Sequence, residues 1–351
     1  MSPVYIIDTV RTPVGRYGGI LSSIRPDDLL AYIIRALLRR NETIDPSAIE
    51  DVIAGAANQS GEDNRNVARM ALLLAGLPVS IGGVTVNRLC ASGLQAIMDA
   101  SRGIMTGTGE VFIACGVESM SRAPFVMPKA DEAFSRKAEI YDTTMGWRFI
   151  NSRLSKLYHP YSMGETAENV AEKWNISREK QDAFALQSQE RYQKAFEHGK
   201  FKSELIPVSV SKGKETALVD RDEHPRATSL EKLAALKPAF KVNGTVTAGN
   251  SSGINDGAAA ALVVSEDMVV KYNLKPKHAN WLEAFPFTVV SEMPKEPKLS
   301  PMVPSSIMDS ETAREVYGDG SFGGEYFVDN AIMSEMFNAA VEDILMMLKF
   351  E

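Results

Sequence analysis

Short apolar runs alternate with amphipathic stretches across residues 1–120, and this alternation does most to narrow the folds open to the chain. Val4–Asp8, Val84–Asn87 and Val111–Cys115 read as strands. Asp27–Arg40 and Val67–Ala75 read as amphipathic helices, with Pro26 and Asn66 as start signals. Such a pattern buries its apolar faces by laying helices on a mostly parallel sheet, so the predicted fold class is layered α/β. With 351 residues there is chain enough for two or more domains.

Within this pattern the run Val86-Asn87-Arg88-Leu89-Cys90-Ala91-Ser92-Gly93-Leu94 follows a strand and opens a helix whose Leu94, Ile97, Met98, Ile104 and Met105 share a stripe. Cys90 is therefore expected in the first helical turn, where unpaired N–H groups and the helix dipole favour a thiolate nucleophile. The bland alternative is a small buried hydrophobe, the commoner fate of a lone cysteine. Cys115 follows a strand without a basic neighbour and reads as core.

Residues 120–245 are more polar and hold a long helix from about Ser177 to His198, capped by Ser177 and followed by Gly199. They read as an excursion that leaves the sheet. The chain returns through the small-residue loop Val246–Gly257 into the buried-strand run Ala258–Val264. Beyond about Pro276 the composition changes. Residues 277–351 hold 13 acidic and 5 basic residues, and Ala331–Leu348 has the spacing of an amphipathic helix. The expected organisation is a core of residues 1–120 and 246–276, an inserted loop domain over 121–245, and a distinct segment over 277–351.

The net charge of −7 offers no footprint for nucleic acid or an anionic membrane surface. Two cysteines exclude a disulfide framework and suggest a reducing, cytoplasmic setting. The start lacks the pattern of a signal peptide, and no run approaches the roughly 18 apolar residues of a membrane span. With four histidines and no CxxC or HExxH spacing, no metal site is expected.

Four motifs then agree. Asn87–Gly93, Gly116-Val117-Glu118-Ser119-Met120-Ser121, Met163-Gly164-Glu165-Thr166-Ala167-Glu168-Asn169 and Gly249–Gly257 together resemble the thiolase family, in its order and about its spacing. Gly61–Asn66 and Asp142–Phe149 are similar to its 3-oxoadipyl-CoA branch. The resemblance covers about residues 1–276. It implies a thiolase-like N-terminal layered sheet with an inserted, coenzyme A-binding loop domain. It also implies acyl transfer to coenzyme A, with the acyl group held on Cys90 as a thioester. Ser252 matches a serine beside the pantetheine arm, Arg226 an arginine near the adenine, and Met163 a residue lining the acyl pocket. Taken without the resemblance, Ser252 could serve turn chemistry and Arg226 could be an ordinary solvated side chain. Position 162 is Ser where acetoacetyl-type members carry His. Coenzyme A enters as substrate, no cofactor is implied, and the expected partners are an acyl-CoA and further copies of the chain.

The family's second half supplies an Asn-Glu-Ala-Phe segment, a Gly-His-Pro histidine and a Cys-x-Gly base. In this sequence no cysteine follows Cys115, and His278 is the only histidine after His224. Residues 277–351 instead resemble the C-terminal end of the creatininase family of metal-dependent amidohydrolases, through His278–Thr288 and Tyr317–Gly324. His278 and Glu283 fit that family's spacing, but a catalytic zinc wants about three protein ligands. The expectation is a thiolase-type acyltransferase with impaired turnover, the second thiolase half being replaced by a short α/β tail. The alternatives are a non-catalytic coenzyme A-binding protein and a metal-dependent amidohydrolase.

Overall fold

A computed structural model describes residues 3–212 and 215–276. Strand β1 (Val4–Arg11) and the short β2 (Gly15–Arg16) precede helix α1 (Pro26–Arg40). Strand β3 (Asp51–Gly55), α2 (Val67–Leu74), β4 (Gly82–Val86), α3 (Ser92–Met105) and β5 (Val111–Ser119) follow. The excursion then carries β6 (Phe125–Val126), β7 (Tyr141–Asp142), α4 (Ser152–Leu157), α5 (Met163–Lys173), α6 (Arg178–Glu197), β8 (Val208–Lys212), β9 (Glu215–Val219) and α7 (Leu230–Ala234). Strand β10 (Asn255–Ser265) and α8 (Glu266–Lys271) close the described chain.

The main sheet has the order β1-β10-β5-β3-β4, with β2 pairing to β10. Strands β3, β4 and β5 are parallel to one another, whereas β10 lies antiparallel to both β5 and β1. The sheet is thus mixed rather than simply mostly parallel. Strands β1, β3, β4 and β5 share one direction, and β10 enters between β1 and β5 reversed. The strand over Asp51–Gly55 escaped the sequence pattern because its small Ala54 and Gly55 break the apolar run.

Helices cover both faces. Alternation along the strands sends Val52, Ala54, Ile113, Cys115, Val117, Ala260 and Leu262 to the face packed by α1 and α2. Ile53, Phe112, Ala114, Ala261 and Val263 turn to the opposite face, against Ala96, Ile97, Ala100 and Ile104 of α3. An irregularity between Ile6 and Asp8 flips the alternation in β1, so Val4 and Ile6 face α3 while Ile7 and Val10 face α1. Helix α1 begins on Pro26, carries Asp27 and Asp28 in its first turn and Arg39 and Arg40 in its last, and suits its own dipole. Its Leu29, Leu30, Ile33, Ile34 and Leu37 are fully buried, each worth about 1.5–3 kcal/mol of apolar burial. All eleven residues of β10 are buried, as a strand with sheet on both edges and helices on both faces should be.

The excursion is tied back to the sheet through Arg11, whose side chain is completely buried. Its Nε donates to Glu204 Oε1 at 2.6 Å, and Nη1 and Nη2 donate to the two Asp222 oxygens at 2.7 and 3.2 Å. Tyr192 of α6 donates to Asp222 Oδ2, Val14 N–H donates to Oδ1, and the Phe201 ring lies beneath the guanidinium. Burial works against the charge on Arg11, but the Asp222 and Glu204 carboxylates outweigh it and hold the proton more firmly than usual.

Removing one member of a buried, fully hydrogen-bonded pair leaves the other charged and unpaired. Asp222→Ala is therefore expected to lower the unfolding free energy by about 3–5 kcal/mol in a denaturant titration. Asp63, on the turn between β3 and α2, offers a second check. It is 8% exposed, and burial, followed by the nearby Asp27 and Glu62 charges, pushes its carboxyl up to about 6. The folded chain keeps this proton at pH values where the unfolded chain has released it, so stability falls as pH rises from about 4 through 6. Asp63→Asn should remove that loss, leaving the variant about 3 kcal/mol more stable than its parent above pH 7 and little different at pH 4.

Candidate active site

The Cys90 turn is built by its polar neighbours. Asn87 accepts from Leu89 N–H at 2.8 Å and donates to Ala57 O at 2.9 Å. Ser92 Oγ accepts from Arg88 N–H at 2.9 Å and donates to Leu89 O. These bonds hold Leu89 at φ +50°, an unusual conformation for a branched side chain, and turn the chain sharply from β4 into α3. Helix α3 begins at Ser92 with Ala91 as its cap, so Cys90 stands one residue before the cap rather than within the first turn. The reason is local. Ser92 spends its hydroxyl on closing the preceding turn and so delays the first helical residue. Cys90 is half-buried and in no disulfide.

Two glycines of the sheet let this turn approach it. A Cβ on Gly55, at the end of β3, would lie 2.4 Å from the backbone carbon of Ser92 and 2.5 Å from Gly93 N. One on Gly116 of β5 would meet Gly55 O at 3.2 Å and Gly93 Cα at 3.9 Å. The start of α3 therefore rests directly on the ends of β3 and β5. Beside it, Glu118 accepts from the N–H groups of Ala57 and Asn58, and Asn58 Nδ2 donates to Thr143 Oγ1 at 3.1 Å. The 141–149 segment is thereby anchored two hydrogen-bonded steps from the Cys90 turn.

The reversal of β10 brings the remaining candidates to this end of the sheet. Asp256 pairs with Ser119 and Gly257 with Glu118, so the start of β10 lies at the end of β5. Ser252, three residues before β10, is exposed, and its hydroxyl donates to Gly253 O at 3.0 Å. The His224 ring packs so closely on Gly253 that a Cβ there would come within 2.1 Å of it. That contact draws the 224–226 strand of chain to the Ser252 loop. Arg226 itself is exposed, and its N–H donates to Gln189 Oε1 on α6.

Met163 is the first residue of α5, 47% exposed, directly after the capping box formed by Ser162 and Glu165. Gly164 packs on the Phe240 ring, and Glu168 accepts from the N–H groups of Thr245 and Val246. Asn250 in turn donates to Asp182 of α6, which Arg178 also pairs with. Helices α5 and α6 are thus fastened to the 244–250 stretch that leads into Ser252. Met163, Ser252 and Arg226 belong to one connected assembly, and the Ser252 loop lies at the same end of the sheet as Cys90.

Cys115 lies in the core as expected, 1% exposed, and burial pushes its thiol far above the ordinary range. Among the described residues no group of three or more His, Cys, Asp or Glu could hold a metal, and no helix is long and apolar enough to cross a membrane. His278, Glu283 and the whole creatininase-like stretch 277–351 lie outside the described residues. Residues that sequence reasoning passed over include Gly55, Asn58 and Asn87. Asn87 stood inside a quoted motif, whereas Gly55 and Asn58 carried no local signal because their roles depend on partners distant in sequence.

Gly55→Ala should force α3 away from β3, since backbone rather than a flexible side chain meets the new methyl. A loss of about 1–3 kcal/mol in unfolding free energy is expected, together with slower thiol-specific modification at Cys90 than in the parent chain. Comparison with known proteins bears on what this constellation is. The thiolase N-terminal domain family matches residues 4–267. A 3-oxoadipyl-CoA/3-oxo-5,6-dehydrosuberyl-CoA thiolase from Escherichia coli is 56% identical over 279 residues, 79% of this chain and 70% of that one. A beta-ketoadipyl-CoA thiolase from Pseudomonas aeruginosa is 56% identical over 78% of this chain and 69% of its own length. Among solved structures, the human mitochondrial 3-ketoacyl-CoA thiolase superposes with a TM-score of 0.71 at 37% identity, covering 78% of this chain and 69% of that one. The Bacillus anthracis acetyl-CoA acetyltransferase gives 0.72 at 38%, covering 79% and 68%. None of these likenesses adds support to the creatininase resemblance of residues 277–351, for the family match ends at residue 267. On its sequence and on its fold, the chain belongs to the thiolase family.

Proposed function

We propose that the chain is an acyl-CoA acyltransferase of thiolase type that cleaves a 3-oxoacyl-CoA, with 3-oxoadipyl-CoA the favoured substrate, through a thioester on Cys90. The observation that carries the reading is the gathering of the Cys90 turn and the Ser252 loop at one end of the sheet, on either side of β5. In this reading the Cys90 thiolate attacks the 3-oxo carbon and the bond between C2 and C3 breaks. The C2 carbanion takes a proton and leaves as acetyl-CoA. The sulfur of a second coenzyme A then attacks the thioester and releases Cys90. Ser252 would flank the pantetheine arm, Arg226 the adenine end and Met163 the acyl chain. Coenzyme A is a substrate here rather than a resident cofactor.

Proton transfer at C2 needs a positioned base, and the developing enolate needs hydrogen-bond donors. The resemblance assigns the base to a Cys-x-Gly cysteine and activation of the nucleophile to a Gly-His-Pro histidine, and neither motif occurs in these 351 residues. The reading therefore includes slow or absent turnover. It also includes self-association through the N-terminal half, supported by the open edge of β4, which pairs with β3 alone among the described strands.

Incubating the chain with an acyl-CoA and weighing it intact separates these statements. An adduct of one acyl group is expected on the parent chain and none on Cys90→Ser, with steady-state thiolysis reduced by at least about a thousandfold relative to the full-length relatives, the scale of a lost acid–base pair. An adduct that survives Cys90→Ser overturns the acyl-carrier assignment, and brisk thiolysis overturns the impairment. Heat on titration with coenzyme A in the absence of any adduct would instead favour a binding protein without catalysis.

A further inference from the structure

Arg148 is unlike every other buried or half-buried arginine among the described residues. Among the described residues, each lysine whose burial is described is exposed, and the buried or half-buried arginines are Arg11, Arg35, Arg69, Arg122, Arg148 and Arg178. Arg11, Arg122 and Arg178 pair with carboxylates. Arg35 and Arg69 donate to backbone carbonyls. Arg148 alone has no hydrogen bond or ion pair among the described residues. A guanidinium that has given up part of its hydration without a protein partner costs free energy, and an anion arriving from outside would recover it.

Its segment is held from three sides. Thr143 is fastened to Asn58, beside the Ala57 carbonyl that Asn87 of the Cys90 turn grips. The Trp147 indole N–H donates to Tyr161 O at 3.0 Å, immediately before Ser162 and Met163. The Phe149 ring meets Tyr141 edge-on at 5.1 Å, closing the loop on itself. Gly146 and Phe149 both adopt left-handed backbone, at φ +76° and +51°, the second at a steric cost that such anchoring must offset. Arg148 sits between the Trp147 and Phe149 anchors, on a loop that bridges the Cys90 turn and the start of α5. A structural arginine in such a place would be expected to brace the loop through a carbonyl or carboxylate, and this one does not.

We propose that Arg148 is a specificity-determining residue that receives the terminal carboxylate of a dicarboxylic acyl-CoA, and this rests on the reading of Cys90 as the acyl carrier. Cleavage of 3-oxoadipyl-CoA at C3 leaves a succinyl group on Cys90, so the carboxylate stays with the enzyme through both half-reactions. A guanidinium fork can bind both carboxylate oxygens at once, which gives direction as well as charge. The exposed Met163 side chain, two residues past the Tyr161 carbonyl that Trp147 holds, would contact the methylenes between the two ends.

Succinyl-CoA and its uncharged counterpart butanoyl-CoA test this on the whole chain. In each case Cys90 Sγ bonds to the acyl carbon, the bond to the coenzyme A sulfur breaks, and coenzyme A leaves as a thiolate. The parent chain should be labelled faster by succinyl-CoA, and Arg148→Gln should lower the ratio of the two rates by about tenfold or more, the scale of one charge-assisted hydrogen bond. Arg148→Lys should restore part of the ratio, which a purely structural role would not predict. A ratio unchanged in Arg148→Gln overturns the proposal. If neither donor labels Cys90, the acyl-carrier reading fails. The ratio of calorimetric dissociation constants for the two acyl-CoAs then decides on Arg148 by the same criterion.

Discussion

The arrangement depends on one reversed strand. Strand β10 is buried along its whole length and runs against both of its neighbours, so its beginning meets the ends of β1 and β5. A parallel β10 would have placed the preceding loop at the opposite rim, remote from the turn that follows β4. Reversal follows from the route of the chain. The polypeptide leaves the sheet at the end of β5, travels through the helices and hairpin of the excursion, and comes back at the rim it left. The core strand thus fixes where the Ser252 loop stands, and the apolar burial that secures the strand also secures the loop.

Two further devices keep the excursion and the sheet in register. The Arg11 guanidinium collects Glu204 and Asp222 from separate parts of the excursion and binds both to β1. Buried ionic clusters add little net stability compared with apolar packing, but they tolerate few alternative geometries, because every misplacement strands a charge. At the rim itself, close approach is set by the absence of side chains at Gly55 and, less tightly, Gly116. Charge fixes the large piece, and missing methyl groups fix the small one.

Much of this was legible in the sequence, and the failures have physical causes. Helix α6 was placed to within a residue at each end because Ser177 and Gly199 mark its termini with their own chemistry. Strand β3 was missed because Ala54 and Gly55 lower its apolar signal for the sake of the packing against α3. The direction of β10 could not be read, since strand pairing is set by partners far away in the chain. Cys90, Ser252, Arg226 and Met163 were found as members of motifs. That the last three are joined by Glu168, Asn250 and His224 is visible only in three dimensions. Arg148 lay within a quoted motif, yet nothing local distinguishes an arginine with a partner from one without.

The two thiols of this chain live in different chemical worlds. Cys115 is sealed between helix-covered strands, its thiol donating toward the Ile53 carbonyl and resisting ionisation. Peroxide and other oxidants attack thiolates that they can reach, so damage to the thiols of this fold concentrates on a single atom, and that atom is the proposed nucleophile. An oxidised Cys90 has no described cysteine beside it in the turn or the sheet ends to form an internal bridge. Recovery would then depend on small soluble thiols, which ties the working life of the site to the reducing capacity of its surroundings.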